Sequence, residues 1–244
     1  GRGQRAPGTT HAGDERRAYS SRDELGWSAC GAIAGGGVSV APSLAICWAG
    51  DARGSPLAEP SSLALVGVRG QSARESDRET ARLRIRAVLT AALAAHAGID
   101  AGRIALHSPQ GVAPWAIVAR DAGDQPVALS ITHDGDLSVA AYSFCGAVGI
   151  DVMSIAPVPD WRAVARDYLG PDAARKLAAR PDGERDAAFA HAWSEHEARL
   201  KCLGLQLSEW CDERAVALQA CRCFPLALPE GYVGYVALRA NTSV

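Results

Sequence analysis

The chain has 244 residues, with 25 Lys and Arg against 27 Asp and Glu and a formal net charge of −2. That length serves one sizeable domain or two small ones sharing a core, and the balanced charge excludes a global basic field for nucleic acid, so any anion site has to be a local cluster of Arg, Lys and His. No apolar run approaches the ~20 residues of a membrane span, and no apolar stretch follows the charged start, so neither a span nor a signal peptide is expected.

Residues Gly1 to about Ser28 lack apolar periodicity and read as a disordered tail, continued by Gly35-Gly36-Gly37. The first credible strands are Leu44–Trp48 and Leu63–Val68. A long helix follows over about Arg74 to His96, with Ala81, Ile85, Val88, Leu89 and Ala92 on one face and Gly98 as its stop. Arg78, Arg82 and Arg86 line the edge of that face; they serve either as a solvated stripe or as contacts to a phosphate or acidic partner.

Three short strands come next, at about Trp115–Ala119, Pro126–Ile131 and Leu137–Ser143, with a polar turn from Thr132 to Asp136 before the last. Ala147 to Val152 reads as a buried strand. A short helix is expected after Asp160 as N-cap, ending near Gly170, and another from Pro171 to Arg180. The longest C-terminal helix spans about Glu184 to Leu203 and stops at Gly204; a final strand covers Tyr232–Leu238. Each half reads as strand, helix, then more strands. The expected organisation is therefore a tail over 1–36, a subdomain over 37–146 and a second over 147–244. Seven cysteines without a CxxC pair read as reduced thiols of a cytoplasmic protein.

Three clusters could carry chemistry. Asp151 lies between Ile150 and Val152 in a core strand, where a carboxylate costs several kcal/mol unless paired or metal-bound. Trp193, Glu197 and Lys201 are spaced by four and share a helix face bordered by His196; they form either a plain Glu–Lys pair beside a core Trp or an aromatic wall with two charged groups. His133, flanked by hydroxyls in Ser130-Ile131-Thr132-His133, is either structural or a phosphate contact. A zinc-protease site fails on spacing, because His196-Glu197 is followed at the required position by Leu200. Gly35–Gly37 precedes a strand and opens no helix, so it is no nucleotide fingerprint.

In order and spacing these clusters resemble the 4′-phosphopantetheinyl transferase superfamily, in its surfactin-synthetase-activator type. The family shows Ser-x-Ser-His, then Gly-Ile/Val-Asp-x-Glu, then Trp-x-x-Lys-Glu-x-x-x-Lys. Here they stand as Ser130-Ile131-Thr132-His133, Gly149-Ile150-Asp151-Val152-Met153 and Trp193 to Lys201. Tyr168-Leu169-Gly170-Pro171 and Gly231-Tyr232-Val233-Gly234-Tyr235 also fit the pattern. The resemblance covers about Arg78 to Ala240. It implies an α/β (α+β) fold of two similar, pseudo-twofold-related halves with coenzyme A in the cleft between them. It also implies transfer of the phosphopantetheine arm to a Ser of an acyl or peptidyl carrier protein in polyketide or nonribosomal peptide biosynthesis. By the same resemblance Asp151 and Glu197 would hold Mg²⁺. Glu197, Lys201 and His196 would be catalytic, and His133, Thr132 and Lys201 would bind coenzyme A; Arg82 of the helix stripe is expected to add a further cation there. Two halves in one chain make a monomer sufficient.

The chain departs from the pattern in three places. Met153 stands where many members carry Glu. His196 stands at the motif's first Lys, and Gln110-Gly111-Val112-Ala113-Pro114 lacks the Lys of the family's Gly-Lys-Pro. Two hypotheses follow: an active transferase, or a diverged relative that keeps the cleft and acts on or binds carrier-tethered substrates.

Overall fold

The computed structural model describes Leu44, residues 46–48, 63–70 and 78–239. The expected tail, the triple glycine, and the helix start before Arg78 lie outside the described residues, as does the side chain of Arg78.

In chain order the elements are β1 (Cys47–Trp48), β2 (Leu63–Arg69), α1 (Arg78–Ala97), β3 (Ile104–His107), β4 (Trp115–Arg120), β5 (Gly123–Asp134), β6 (Leu137–Ser143) and β7 (Val148–Ser154). Then come α2 (Trp161–Val164), which runs into a π turn at Ala165–Leu169, α3 (Pro171–Ala178), α4 (Asp182–Leu203), α5 (Asp212–Leu218), β8 (Cys221–Pro225) and β9 (Tyr232–Arg239). The mixed α/β class expected from the sequence is what the chain adopts. Among the described residues there is a six-stranded sheet, β1-β2-β6-β5-β4-β3, and a three-stranded one, β7-β9-β8.

The alternation of side chains along the strands dictates how these layers stack. Val127 and Leu129 of β5, Ala140 and Tyr142 of β6, and Val66 of β2 face α1, whose Ile85, Leu89 and Leu93 are fully buried against them. The intervening Leu65, Val139 and Ala141 face the other way, onto Val148, Ile150 and Val152 of β7 and Val236 of β9. The far face of the small sheet is covered by α4, where Ala198 and Cys202 meet Cys221 and Ala237. The order is thus α1, large sheet, small sheet, α4. β7 is buried on both faces, which explains its nearly continuous apolar sequence.

Several elements differ from expectation. Thr132, His133 and Asp134 continue β5; the turn is only Gly135-Asp136, closed by Asp134 opposite Leu137. Gly135 has φ +55, and a Cβ there would stand 2.3 Å from the Tyr232 hydroxyl, so only Gly suits the position. Asp160 precedes α2 but has φ 52 and caps nothing with its side chain. β3, α5 and β8 were not expected at all.

Candidate active site

β7 is an edge strand, so alternate amides point away from β9. They find partners on β5. Ser130 Oγ accepts from Ile150 N at 3.0 Å, and Asp134 Oδ2 accepts from Ser154 N. Between these two rungs Thr132 Oγ1 donates to Asp151 Oδ1 at 3.1 Å. The two sheets are therefore joined by side-chain oxygens at every second residue of β5.

Asp151 shares with Gly149 and Met153 the face of β7 turned toward α4, and it is 7% exposed. Lys201 Nζ on α4 donates to Asp151 Oδ1 at 2.7 Å, and Ser194 Oγ donates to the main-chain O of Asp151 at 2.9 Å. Burial pushes the Asp151 carboxyl above its ordinary range; the Lys201 ammonium and the hydrogen bond of Thr132 oppose the rise. Glu197, one turn before Lys201, is half-buried. Burial raises it too, Lys201 opposes, and the nearby charge of Asp151 adds to the rise.

These three charged groups open onto one cavity of about 610 Å³, a size suited to a small-molecule ligand. Its polar rim takes Thr132, His133 and Asp134 from β5 and Arg82 from α1; Met153, Val158 and Trp193 supply the apolar wall. Trp193 is held by Phe189, stacked at 5.8 Å, and Tyr168, edge-on at 5.9 Å. His133 Nδ1 lies 2.8 Å from Ser138 Oγ. The arginines of α1 divide their work. Arg82 lines the cavity, whereas Arg86 donates to Ser108 Oγ at 2.8 Å and to Leu106 O, tying the helix to β3.

Of the residues expected at the site, Asp151, Glu197, Lys201, Thr132, His133 and Arg82 line the cavity; His196 does not. On α4 it turns ~100° from Glu197, and it is pressed near Arg214 of α5 and Arg199. Burial and then those two cations push its imidazole down to about 4. His196, expected among the catalytic residues, is thus a half-buried ring outside the cavity lining. Thr132 differs in a subtler way, since its hydroxyl is given to Asp151. The sequence marks Asp134 and Ser130 only as a turn residue and a flank of His133, and it does not single out the wall residues Ser154, Ala156, Pro157, Val158 and Pro159. The spacing of Ser130, Thr132 and Asp134 by two was the signal that could have found the first two.

The donor set suits a hard divalent cation. Asp151 and Glu197, from different elements, face one cavity that Asp134 also lines, and among the described residues no thiolate lines it. Among the described residues no group of three or more His, Cys, Asp or Glu could hold a metal. A protein cage is thus missing, whereas Mg²⁺ commonly takes one or two carboxylates and completes its shell with water and phosphate oxygens.

Residues 147–236 match the family model for the 4′-phosphopantetheinyl transferase superfamily. The stretch contains β7, α4 and β9, hence Asp151, Glu197 and Lys201. Among curated proteins, the chain is 23% identical over 119 residues to the 4′-phosphopantetheinyl transferase HetI of Nostoc sp., covering 49% of each chain. It is 32% identical over 80 residues to the 4′-phosphopantetheinyl transferase psf-1 of Bacillus pumilus, covering 33% of each. The matches span at most about half the length of these relatives. Similarity to the superfamily is thereby shown for the C-terminal part of the chain; the surfactin-activator type is not singled out. Among the described residues no helix is long and apolar enough to cross a membrane.

Proposed function

We propose that this protein is an enzyme that moves the 4′-phosphopantetheine arm of coenzyme A onto a Ser of an acyl or peptidyl carrier protein, with Mg²⁺ as its metal. The observation that carries the reading is the meeting of Asp151, Glu197 and Lys201, from β7 and α4, in one cavity that Arg82 and His133 also line. The matched family segment supplies the first three.

In this reading the Ser hydroxyl of the carrier attacks the phosphorus that bears the pantetheine arm. The new P–O bond forms as the pyrophosphate bond breaks, and adenosine 3′,5′-bisphosphate leaves. Glu197 accepts the hydroxyl proton, directly or through one water. Lys201 offers a compact positive charge to the phosphates. Arg82 and His133 line the same cavity, and there the phosphate-rich end of coenzyme A would be gripped. Asp151 and Glu197 would hold a divalent cation, which when bound neutralises charge on the pyrophosphate. His196 takes no part, so a His in place of the motif's Lys leaves the cations of the cavity unchanged. The protein is proposed to act in the cytoplasm, within natural-product biosynthesis.

The test is mass spectrometry of a panel of apo-carrier proteins incubated with the protein, coenzyme A and Mg²⁺. A carrier should gain the mass of the arm. Asp151→Ala and Glu197→Gln should each lower the rate by ~10²-fold or more while the circular dichroism spectrum is kept. Full activity in either variant would refute the site, and no gain on any carrier would refute the activity.

A further inference from the structure

The side-chain seam between β5 and β7 does more than join two sheets. Its middle rung touches a charged group of the cavity. Ser130 and Asp134 receive main-chain amides of β7, at Ile150 and Ser154, and so serve as structural stitches. Thr132 alone reaches a side chain, and that side chain is Asp151. Both partners are buried, Thr132 at 6% and Asp151 at 7% exposure, so this hydrogen bond is shielded from competing water. Lys201 Nζ donates to the same oxygen, Oδ1. A carboxylate oxygen presents two lone-pair directions. With a hydroxyl and an ammonium on Oδ1, the capacity of that oxygen is used, and even with the Ser194 hydroxyl also bearing on the carboxyl, Oδ2 keeps a lone pair for another ligand.

We propose that Thr132 is a positioning residue. Its hydroxyl, delivered from β5 of the six-stranded sheet, fixes the rotation of the Asp151 carboxylate so that Oδ2 is presented to the divalent cation. The inference rests on the reading of Asp151 as a metal ligand. It also gives Thr132 a different task from gripping coenzyme A. Groups that orient a metal-binding carboxylate typically change metal affinity by 10–100-fold when removed. The strand geometry explains why the residue is hydroxylated. A side chain at this register reaches Asp151 only from the face that carries Ser130 and Asp134, and Val would fill the space without donating.

The experiment is titration of the full chain with Mn²⁺, followed by the electron paramagnetic resonance of the free ion, with thermal melting of each variant alongside. Wild type should bind Mn²⁺ and Asp151→Asn should lose it. If either fails, the metal reading itself is wrong. Given both, Thr132→Val should weaken Mn²⁺ binding by about tenfold or more, and Thr132→Ser should restore it. Ser130→Ala, which removes a neighbouring stitch without touching Asp151, should change Mn²⁺ binding by less than about threefold, even if it melts as low as Thr132→Val. Wild-type Mn²⁺ affinity in Thr132→Val would overturn the proposal, and so would equal losses in Thr132→Val and Ser130→Ala. Should Thr132→Val fail to fold, the same comparison runs on Thr132→Cys, whose thiol is a weak donor.

Discussion

Gly149 gives the sharpest test of how the site is assembled. It lies two residues before Asp151 and faces α4 at closest approach. A Cβ built there would stand 2.0 Å from Ala198 O, 2.3 Å from Cys202 N and 2.9 Å from Cys202 Cα. Those atoms are helix backbone, and the first two are partners in one turn of the i to i−4 ladder. No side chain can swing aside, so reaching ordinary contact near 3.4 Å requires the helix or the strand to move by more than an ångström. Ala198 and Cys202 each adjoin a residue of the cavity, Glu197 and Lys201, so the displacement passes directly to the site. Overpacking of this kind costs ~1–3 kcal/mol and more where the obstacle is rigid. At ~3 kcal/mol a chain of this size loses ~6–12 °C in Tm. Gly183, in the first turn of α4, is the control, because a Cβ there meets nothing within 4 Å. Gly183→Ala should raise stability by ~0.5–1 kcal/mol through helix propensity. The assay is thermal and urea unfolding of both variants, with Mn²⁺ binding as second readout. If Gly149→Ala melted with wild type and bound Mn²⁺ unchanged, α4 would not be seated on β7 as described.

Two further predictions concern groups away from the cavity. His196 is neutral in the fold, whereas the unfolded chain takes up a proton near pH 6.5. Stability is therefore complete above that value and falls as pH drops from 6.5 toward 4, by ~1–2 kcal/mol once partial exposure is allowed for. His196→Gln should flatten that limb in urea melts at pH 7 and 5, and an unchanged slope would refute the buried placement. Burial pushes the Cys223 thiol up to about 11, with the Arg199 guanidinium opposing. At pH 8 only ~1 in 1,000 of these thiols is then ionised. Iodoacetamide followed by peptide mapping should modify exposed Cys47 well before Cys223, and equal rates would show that Cys223 is not sequestered.

What was legible in the sequence followed the distance over which a residue finds its partners. Ile85, Val88 and Leu89 repeat at helical spacing, and α1 uses them as the repeat implies. A carboxylate inside the apolar run Val148–Val152 marked Asp151, because burying it alone is costly. Trp193, Glu197 and Lys201 were placed together by helix geometry alone, and all three reach one cavity. Misreadings arose where a distant element supplies the environment. Thr132 and Asp134 read as turn residues because they are polar, yet their polarity answers β7, some twenty positions away. The environment of His196 is set partly by Arg214 of α5, a seven-residue helix with no strong pattern of its own. β8 is short, alternates Cys with Arg and Phe, and among the described strands pairs with β9, so nothing local announces it. Gly149 stood inside a recognised motif, but its physical reason, a helix backbone within 2.0 Å of where Cβ would be, needed three dimensions.

The carboxylate variants that test transfer also test what the site costs the fold. Asp151 is 7% exposed in a strand whose other neighbours are apolar, and removing a charge from water costs several kcal/mol before its partners are counted. Thr132 and Lys201 return part of that through hydrogen bonds to one oxygen; Glu197, itself half-buried nearby, adds like-charge repulsion. An amide of the same shape escapes both penalties while its oxygen still accepts from Thr132 and Lys201. Asp151→Asn and Glu197→Gln should therefore lose transfer yet melt, in EDTA, no lower than wild type and up to ~1–2 kcal/mol more stably. A substitution that merely damaged a structural ion pair would behave in the opposite way, because Lys201 would be left without its counter-charge and the fold would lose ~3 kcal/mol or more. Metal-free melts of the two variants separate these cases. A marked drop in both would mean that Asp151 and Glu197 serve to hold α4 onto β7, and that the cavity between them is a by-product of packing.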